Sequence, residues 1–321
     1  MGIGTLIVGL GQIGMGYDLG LDPATHVYSH ARAVDVHPAY RLLGGVDPSA
    51  ERRAVFSGAY RCPAYGDVES ALQDVSPDLV VIAVPTQDHA LTLQRILGRA
   101  RPSAVLCEKP LAYSDTEARA MAASCAERGA RLFVNYMRRS DPGAIEVKRR
   151  LSSGEIASPV KGVAWYSKGL RHNGSHFFNL IEDWLGEMTD AQVLDAGRCR
   201  GREDSEPDLF VRFERGAISF LSAHEENYSH YTMELVCPNG RLRYEKGGRQ
   251  ISWQMPRADS ALPGYSMLAE ESESIASGMD RYQWHVADQL AVALAGGDGH
   301  VCDGAGAVRT IESISRILEK P

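Results

Sequence analysis

The stretch Gly4-Thr5-Leu6-Ile7-Val8-Gly9-Leu10-Gly11-Gln12-Ile13-Gly14 decides how the rest of the chain is read. An apolar run rich in strand formers leads directly into Gly9-x-Gly11-x-x-Gly14. This is the order that a strand, a tight turn and a helix start require. The first glycine permits the turn, the second lets backbone approach a pyrophosphate, and the third lets helix and strand pack closely. Unpaired N–H groups and the helix dipole then favour an anion at the helix start. Gly9, Gly11, Gln12, Ile13 and Gly14 are therefore the expected pyrophosphate cradle of a dinucleotide site.

The composition fits a globular protein of more than one domain. The chain has 321 residues, 44% hydrophobic and 23% charged, enough to bury a sizeable core. A net charge of −7 argues against a general nucleic-acid or anionic-membrane surface. No apolar run approaches a membrane span, and no basic, signal-like N-terminus precedes the first strand. Six cysteines without a CxxC pair read as reduced thiols, so a cytoplasmic location is expected.

After Gly14 the helix is interrupted by turn residues over 17–29 and resumes at His30-Ala31-Arg32-Ala33-Val34. The interruption reads either as a loop near the cofactor's edge that also meets substrate or as a neutral surface insertion. The second strand, Tyr40–Val46, ends at Asp47, whose carboxylate is placed to accept from the adenosine ribose hydroxyls. That favours NAD over NADP; Arg52 and Arg53 close by are the competing signal.

Strands and helices go on alternating. The run Asp78–Val84 reads as a buried parallel strand ending in Pro85-Thr86-Gln87-Asp88-His89, and Pro85, Thr86 and His89 join the expected cofactor site. The strand Ser103–Cys107 leads into Glu108-Lys109-Pro110 at the carboxyl edge, where open parallel sheets bind ligands. Burial and a cationic nicotinamide would both lower the proton affinity of Lys109, which suits it to proton transfer. A helix over Asp115–Arg128 and a strand over Arg131–Val134 complete a doubly wound sheet. Beyond about residue 150 six strand-like segments and two closing helices predict an α+β domain with a broad, mostly antiparallel sheet. Such a sheet needs its open face covered, and self-association is the expected means.

With these motifs in place, the chain resembles the glucose–fructose oxidoreductase / inositol dehydrogenase / rhizopine-catabolism family of NAD(P)-dependent oxidoreductases. The resemblance rests on Gly9-x-Gly11-x-x-Gly14, Asp47, Pro85-Thr86-x-x-His89, Glu108-Lys109-Pro110 and Tyr136-x-Arg138-Arg139-x-x-Pro142. A block His176-x-x-Asn179-x-x-x-x-Trp184-Leu185-Gly186 adds to it. It implies a Rossmann domain, residues 1–112 with a last helix–strand unit reaching about 140. A substrate and oligomerisation domain over 113–321 follows, in a homodimer or homotetramer formed through the C-terminal sheet. It implies hydride transfer between NAD, or less favourably NADP, and a secondary alcohol or ketone of a sugar, nucleotide sugar or cyclitol. The alternatives are elimination or hydrolysis of a sugar derivative through a transient ketone, and a non-catalytic NAD-binding sensor.

Carried over by position, Lys109 resembles the family's catalytic lysine and His176 its acid/base partner. Tyr136, Arg138, Arg139, Tyr166, Lys168, His172, Asn173 and Asn179 are the expected substrate residues. The chain departs from the family pattern at His172 and Asn179, where Asp is common, and at Met137, where Asn is. A metal site at His172 and His176 is not expected: Gly174 weakens a shared helix face and the Glu of H-E-x-x-H is missing.

Overall fold

A computed structural model describes residues 2–199, 204–224, 227–228 and 230–319. The chain folds into two compact units, 1–140 with 280–312 and 141–279 with 313–321. The sequence reading gave the first domain residues 1–112 with a last helix–strand unit reaching about 140; the first unit runs to 140 and includes 280–312 as well.

The first unit holds a seven-stranded sheet in the order β17-β6-β5-β4-β1-β2-β3. Its strands are β1 (Ile3–Val8), β2 (Tyr40–Val46), β3 (Ala64–Tyr65), β4 (Leu79–Ile82), β5 (Ala104–Cys107), β6 (Arg131–Val134) and β17 (Cys302–Asp303). All pairs are parallel except β17 with β6. Alternate residues of each strand face two separate cores: Leu6, Val80, Val105 and Leu132 in one, Ile7, Val81, Leu106 and Phe133 in the other. A sheet buried on both faces explains why the sequence shows continuous apolar runs rather than alternation. The covering helices are α1 (His30–Val36), α2 (Ala50–Tyr60), α3 (Val68–Asp74), α4 (His89–Arg99), α5 (Asp115–Glu127), the returning α8 (Tyr282–Leu294) and most of α9 (Gly304–Leu318).

The second unit holds an eight-stranded sheet in the order β16-β13-β12-β11-β7-β10-β9-β8. It comprises β7 (Val160–Tyr166), β8 (Met188–Arg198), β9 (Glu206–Phe213), β10 (Gly216–Ser222), β11 (Thr232–Cys237), β12 (Gly240–Glu245), β13 (Gln250–Gln254) and β16 (Glu273–Ile275). Only β7 with β10 runs parallel among these pairs. The strands β14 (Pro256–Ala258) and β15 (Ser266–Leu268) form a separate hairpin. Helices α6 (Pro142–Ser153) and α7 (Ser175–Leu185) cover one face, with Phe177, Phe178, Leu180 and Trp184 in the core. The other face shows Trp165, Leu194 and Val236 to solvent. The α/β and α+β halves read from the sequence are both present.

Candidate functional site

The carboxyl ends of the first unit's strands line up through the sheet ladder. Gly9 N donates to Val46 O, Ala83 N to Val8 O, Glu108 N to Ile82 O and Asn135 N to Cys107 O. One edge therefore gathers the glycine turn, Asp47, the Pro85–Asp88 segment and Glu108-Lys109. Pro85 and Thr86 lie at a 3₁₀ turn, Thr86–Asp88, that leads into α4.

The glycine turn has the geometry its residues demand. Gly9 has φ +101°, and a Cβ there would meet Ala83 O at 2.5 Å; a Cβ on Gly14 would lie 1.9 Å from Gly9 O. A Cβ on Gly11, by contrast, would meet nothing within 4 Å. The turn is thus closed against the protein at its two ends and open at its middle, the shape that a pyrophosphate lying on backbone requires. The residues present fit a dinucleotide.

The predicted helix after Gly14 is completed in an unusual way. Met15 N donates to Gly11 O, which makes one helical turn, and the chain then leaves over 17–29. On its return, His30 N donates to Ile13 O and Ala31 N to Gly14 O. Those acceptors would serve residues 17 and 18 in an unbroken helix. The insertion is closed by Asp18, which is fully buried. Its Oδ2 accepts from Tyr28 N (2.7 Å) and Ser29 N (2.9 Å), and its Oδ1 from Ser29 Oγ (2.6 Å). Ser29 in turn caps α1 by accepting from Arg32 N.

Asp47 is nearly inaccessible and already has structural partners. Leu10 N donates to its Oδ2 (2.9 Å) and Ser49 N to its Oδ1 (2.9 Å), so the carboxylate ties the glycine turn to β2. Arg52 reaches Oδ2 at 3.4 Å from a half-exposed position, whereas Arg53 donates to the carbonyls of Asp47 and Pro48.

The surroundings of Lys109 hold three residues the sequence reading did not single out. Glu108 Oε1 accepts from His30 Nε2 (2.7 Å) and Asn135 Nδ2 (2.6 Å). Gln283 Oε1 accepts from the same Asn135 amide (3.2 Å), and Gln283 Nε2 lies 2.9 Å from His30 Nδ1. Glu108 Oε2 accepts from the Lys109 backbone N–H (3.3 Å). Burial alone would raise the Glu108 carboxyl, but the hydrogen bonds and charge of His30, the Asn135 amide and the Lys109 charge bring it below its ordinary value. Burial raises the Tyr282 phenol, and the Glu108 charge adds to it.

Two expected ligand residues are buried within their own unit. The His89 ring nitrogens lie 3.1 Å from Leu111 O and 3.0 Å from Val84 O; burial lowers its proton affinity, and the ring braces the loops after β4 and β5 rather than reaching outward. Tyr166, expected at substrate, is fully buried at the end of β7 and donates its hydroxyl to Pro207 O. It is a core residue because the inward face of β7 ends on it. Tyr136 is likewise buried in the first unit's core, with Arg138 and Arg139 half-buried in the 3₁₀ turn that follows.

The second unit collects the remaining candidates around the start of α7. Lys168 is exposed with a left-handed backbone, and it begins a wide turn, Gly169–Gly174, that carries half-buried His172 and Asn173. Glu206 Oε1 accepts from Lys168 N and Gly169 N, and the Asp204 carboxylate from Arg171 N and His172 N. Asn173 donates to Tyr231 OH. His176 and Asn179 are buried on one side of α7, three residues apart. Among the described residues no group of three or more His, Cys, Asp or Glu could hold a metal ion.

Residues 3–136 match the model of an oxidoreductase family with an NAD-binding Rossmann fold, the glucose–fructose oxidoreductase / inositol dehydrogenase / rhizopine-catabolism family. The match covers 134 of the chain's 321 residues. NAD binding in the first unit follows from that match and from the fit of the glycine turn. Inositol 2-dehydrogenase of Rubrobacter xylanophilus is 32% identical over 54% of the chain, and scyllo-inositol 2-dehydrogenase (NAD(+)) of Bacillus subtilis 28% identical over 59%. The matched stretches span 48% and 50% of those relatives, about half their length. Among solved structures, the WlbA dehydrogenase of Bordetella pertussis, in complex with NADH and UDP-GlcNAcA, superposes with a TM-score of 0.76. It covers 98% of this chain and 94% of its own at 16% identity, a likeness of fold. Among the described residues no helix is long and apolar enough to cross a membrane.

Proposed function

We propose that this chain transfers a hydride between NAD and a secondary alcohol or ketone of a sugar, nucleotide sugar or cyclitol. The observation that carries the proposal is Lys109 itself. It follows Glu108 at the carboxyl end of β5, two strands from the glycine turn, on the edge where the dinucleotide's reactive end belongs. When bound, NAD supplies the hydride acceptor or donor. The chain's part is to hold the pyrophosphate at Gly9–Gly14, to orient the ribose through Asp47 and to move the hydroxyl proton through Lys109. His176 takes the supporting acid/base role that the family resemblance gives it, and His172, Asn173 and Asn179 are its neighbours in sequence for binding substrate hydroxyls. NAD is preferred to NADP because a 2′-phosphate beside the Asp47 carboxylate meets repulsion, while Arg53 is held by two backbone carbonyls. The chain works in the cytoplasm, and the uncovered sheet face around Trp165, Leu194 and Val236 packs against a second copy.

Lys109→Met keeps the apolar stem and removes the proton and charge. Single-turnover hydride transfer should slow by ~10²–10⁴-fold, the usual scale of general acid–base catalysis, while NAD affinity holds. An unchanged rate and pH profile across a panel of cyclitols and nucleotide sugars would overturn the assignment.

A further inference from the structure

The four side chains around Glu108 close a ring of hydrogen bonds drawn from α1, the end of β5, the end of β6 and α8. Each donor and acceptor in it follows from the one before. A carboxylate only accepts, so Asn135 must present its NH₂ to Glu108 Oε1. The second hydrogen of that NH₂ points to Gln283, which must present its carbonyl oxygen. Gln283 is then left facing His30 with its own NH₂, 2.9 Å from Nδ1 and 3.1 Å from Nε2. His30 Nε2 lies 2.7 Å from Glu108 Oε1, and because a carboxylate only accepts, that nitrogen carries a proton. Glu108 spends its second oxygen on the Lys109 backbone N–H.

We infer that His30, Asn135 and Gln283 are positioning residues for Lys109, acting through Glu108. This rests on the reading of Lys109 as the proton-transfer residue. The His30 side chain is 4% exposed and that of Glu108 12%, so water does not compete strongly for these bonds. The ring fixes the carboxylate plane, and the carboxylate fixes the main chain from which Lys109 extends. The Glu108 and Lys109 charges also act on each other, so whatever keeps Glu108 ionised raises the proton affinity of Lys109. The ionisable groups acting on this centre are His30 from α1, Cys107 from β5, Lys109, His89 from α4 and Tyr282 from α8. The ring's worth to the protein lies in charge placement: it holds one carboxylate beside the lysine.

The test needs no turnover. In NAD-free protein labelled with ¹⁵N-histidine, long-range ring correlations should show a proton on His30 Nε2. Finding Nε2 bare would overturn the ring. Titration of the Lys109 Cε resonance supplies the link to the lysine. His30→Leu removes a donor that favours the ionised form of Glu108 and should lower the Lys109 pKa. His30→Gln, which keeps a donor, should restore it. Equal lysine titrations in all three proteins would refute the positioning role. If Lys109→Met still transfers hydride while these shifts are seen, the ring stands and the proposed acid/base assignment falls.

Discussion

Asp18 offers the sharpest stability test in the first unit. Its carboxyl group is fully buried and accepts three hydrogen bonds, from Tyr28 N, Ser29 N and Ser29 Oγ. In Asp18→Ala the Ser29 hydroxyl can turn elsewhere, but the two backbone N–H groups cannot. Each buried donor left without a partner costs ~1–3 kcal/mol. The Tyr28 amide is only partly buried and regains some bonding to water, so the total should be about 2–3 kcal/mol. For a unit of this size that lowers Tm by roughly 5–10 °C. Asp18→Asn tests the same reasoning from the other side. Its carbonyl can still accept from both amides, and the Ser29 hydroxyl can switch from donating to accepting against the new NH₂. The loss should then be about 1 kcal/mol or less. Thermal melts of the three proteins, with peptide-resolved hydrogen exchange over residues 17–30, give the comparison. Exchange over that segment should accelerate in Asp18→Ala and stay near wild type in Asp18→Asn. A melt for Asp18→Ala within ~1 °C of wild type would show that the carboxyl group does not close the insertion, and the reasoning would fail.

The other expectations are shorter to state. Gly11→Val adds side chain only into the open middle of the glycine turn, so Tm should hold while the NAD Kd measured by calorimetry rises at least ~10-fold. Direct titration should find NADH bound more tightly than NADPH by about tenfold or more; equal or tighter NADPH binding would point to Arg52 or Arg53 as a phosphate ligand. On α6, hydrogen bonds from Arg149 and Arg150 hold the Glu146 carboxyl at about 2, below its ordinary 4.5. Because the folded value is the lower one, its contribution is present above about pH 4.5 and is lost as pH falls towards 2. Solvent screening limits that contribution to about 1 kcal/mol, so Glu146→Gln should flatten the acid limb of the stability curve by that much in acid unfolding.

The dinucleotide half was legible because its signals are local. A strand, a turn and a helix start lie within eleven residues, and strands buried on both faces announce themselves as apolar runs. Tyr166 misled for the opposite reason. A tyrosine beside Lys168 in sequence resembles a polar edge, and only the inward alternation of β7 shows that its ring belongs to the core. The Glu108 ring left no local trace. His30, Asn135 and Gln283 lie 78, 27 and 175 residues from Glu108 along the chain, too far for any spacing rule to join them. Gln283 is the hardest to see. It sits in a helix that reads as part of the second half, whereas the chain brings α8 back to the first unit.

The insertion and the ring explain each other. Because residues 17–29 leave and rejoin one helix, His30 occupies the slot that residue 17 would fill, and the excursion costs little beyond closing a loop. For thirteen residues that is about 2 kcal/mol, which the Asp18 hydrogen bonds can offset. What the excursion adds is a grip on the returning segment. Val27 N donates to Asp280 O, Gln283 N donates to Val27 O, and the Tyr28 and Tyr282 rings stack at 5.3 Å. The same loop that delivers His30 therefore also seats the first turn of α8, and with it Gln283. A surface loop with no role would have no reason to bury an aspartate or to pair its backbone with a segment more than 250 residues later. The insertion thus brings His30 and Gln283, two of the three residues around Glu108, into place beside Lys109.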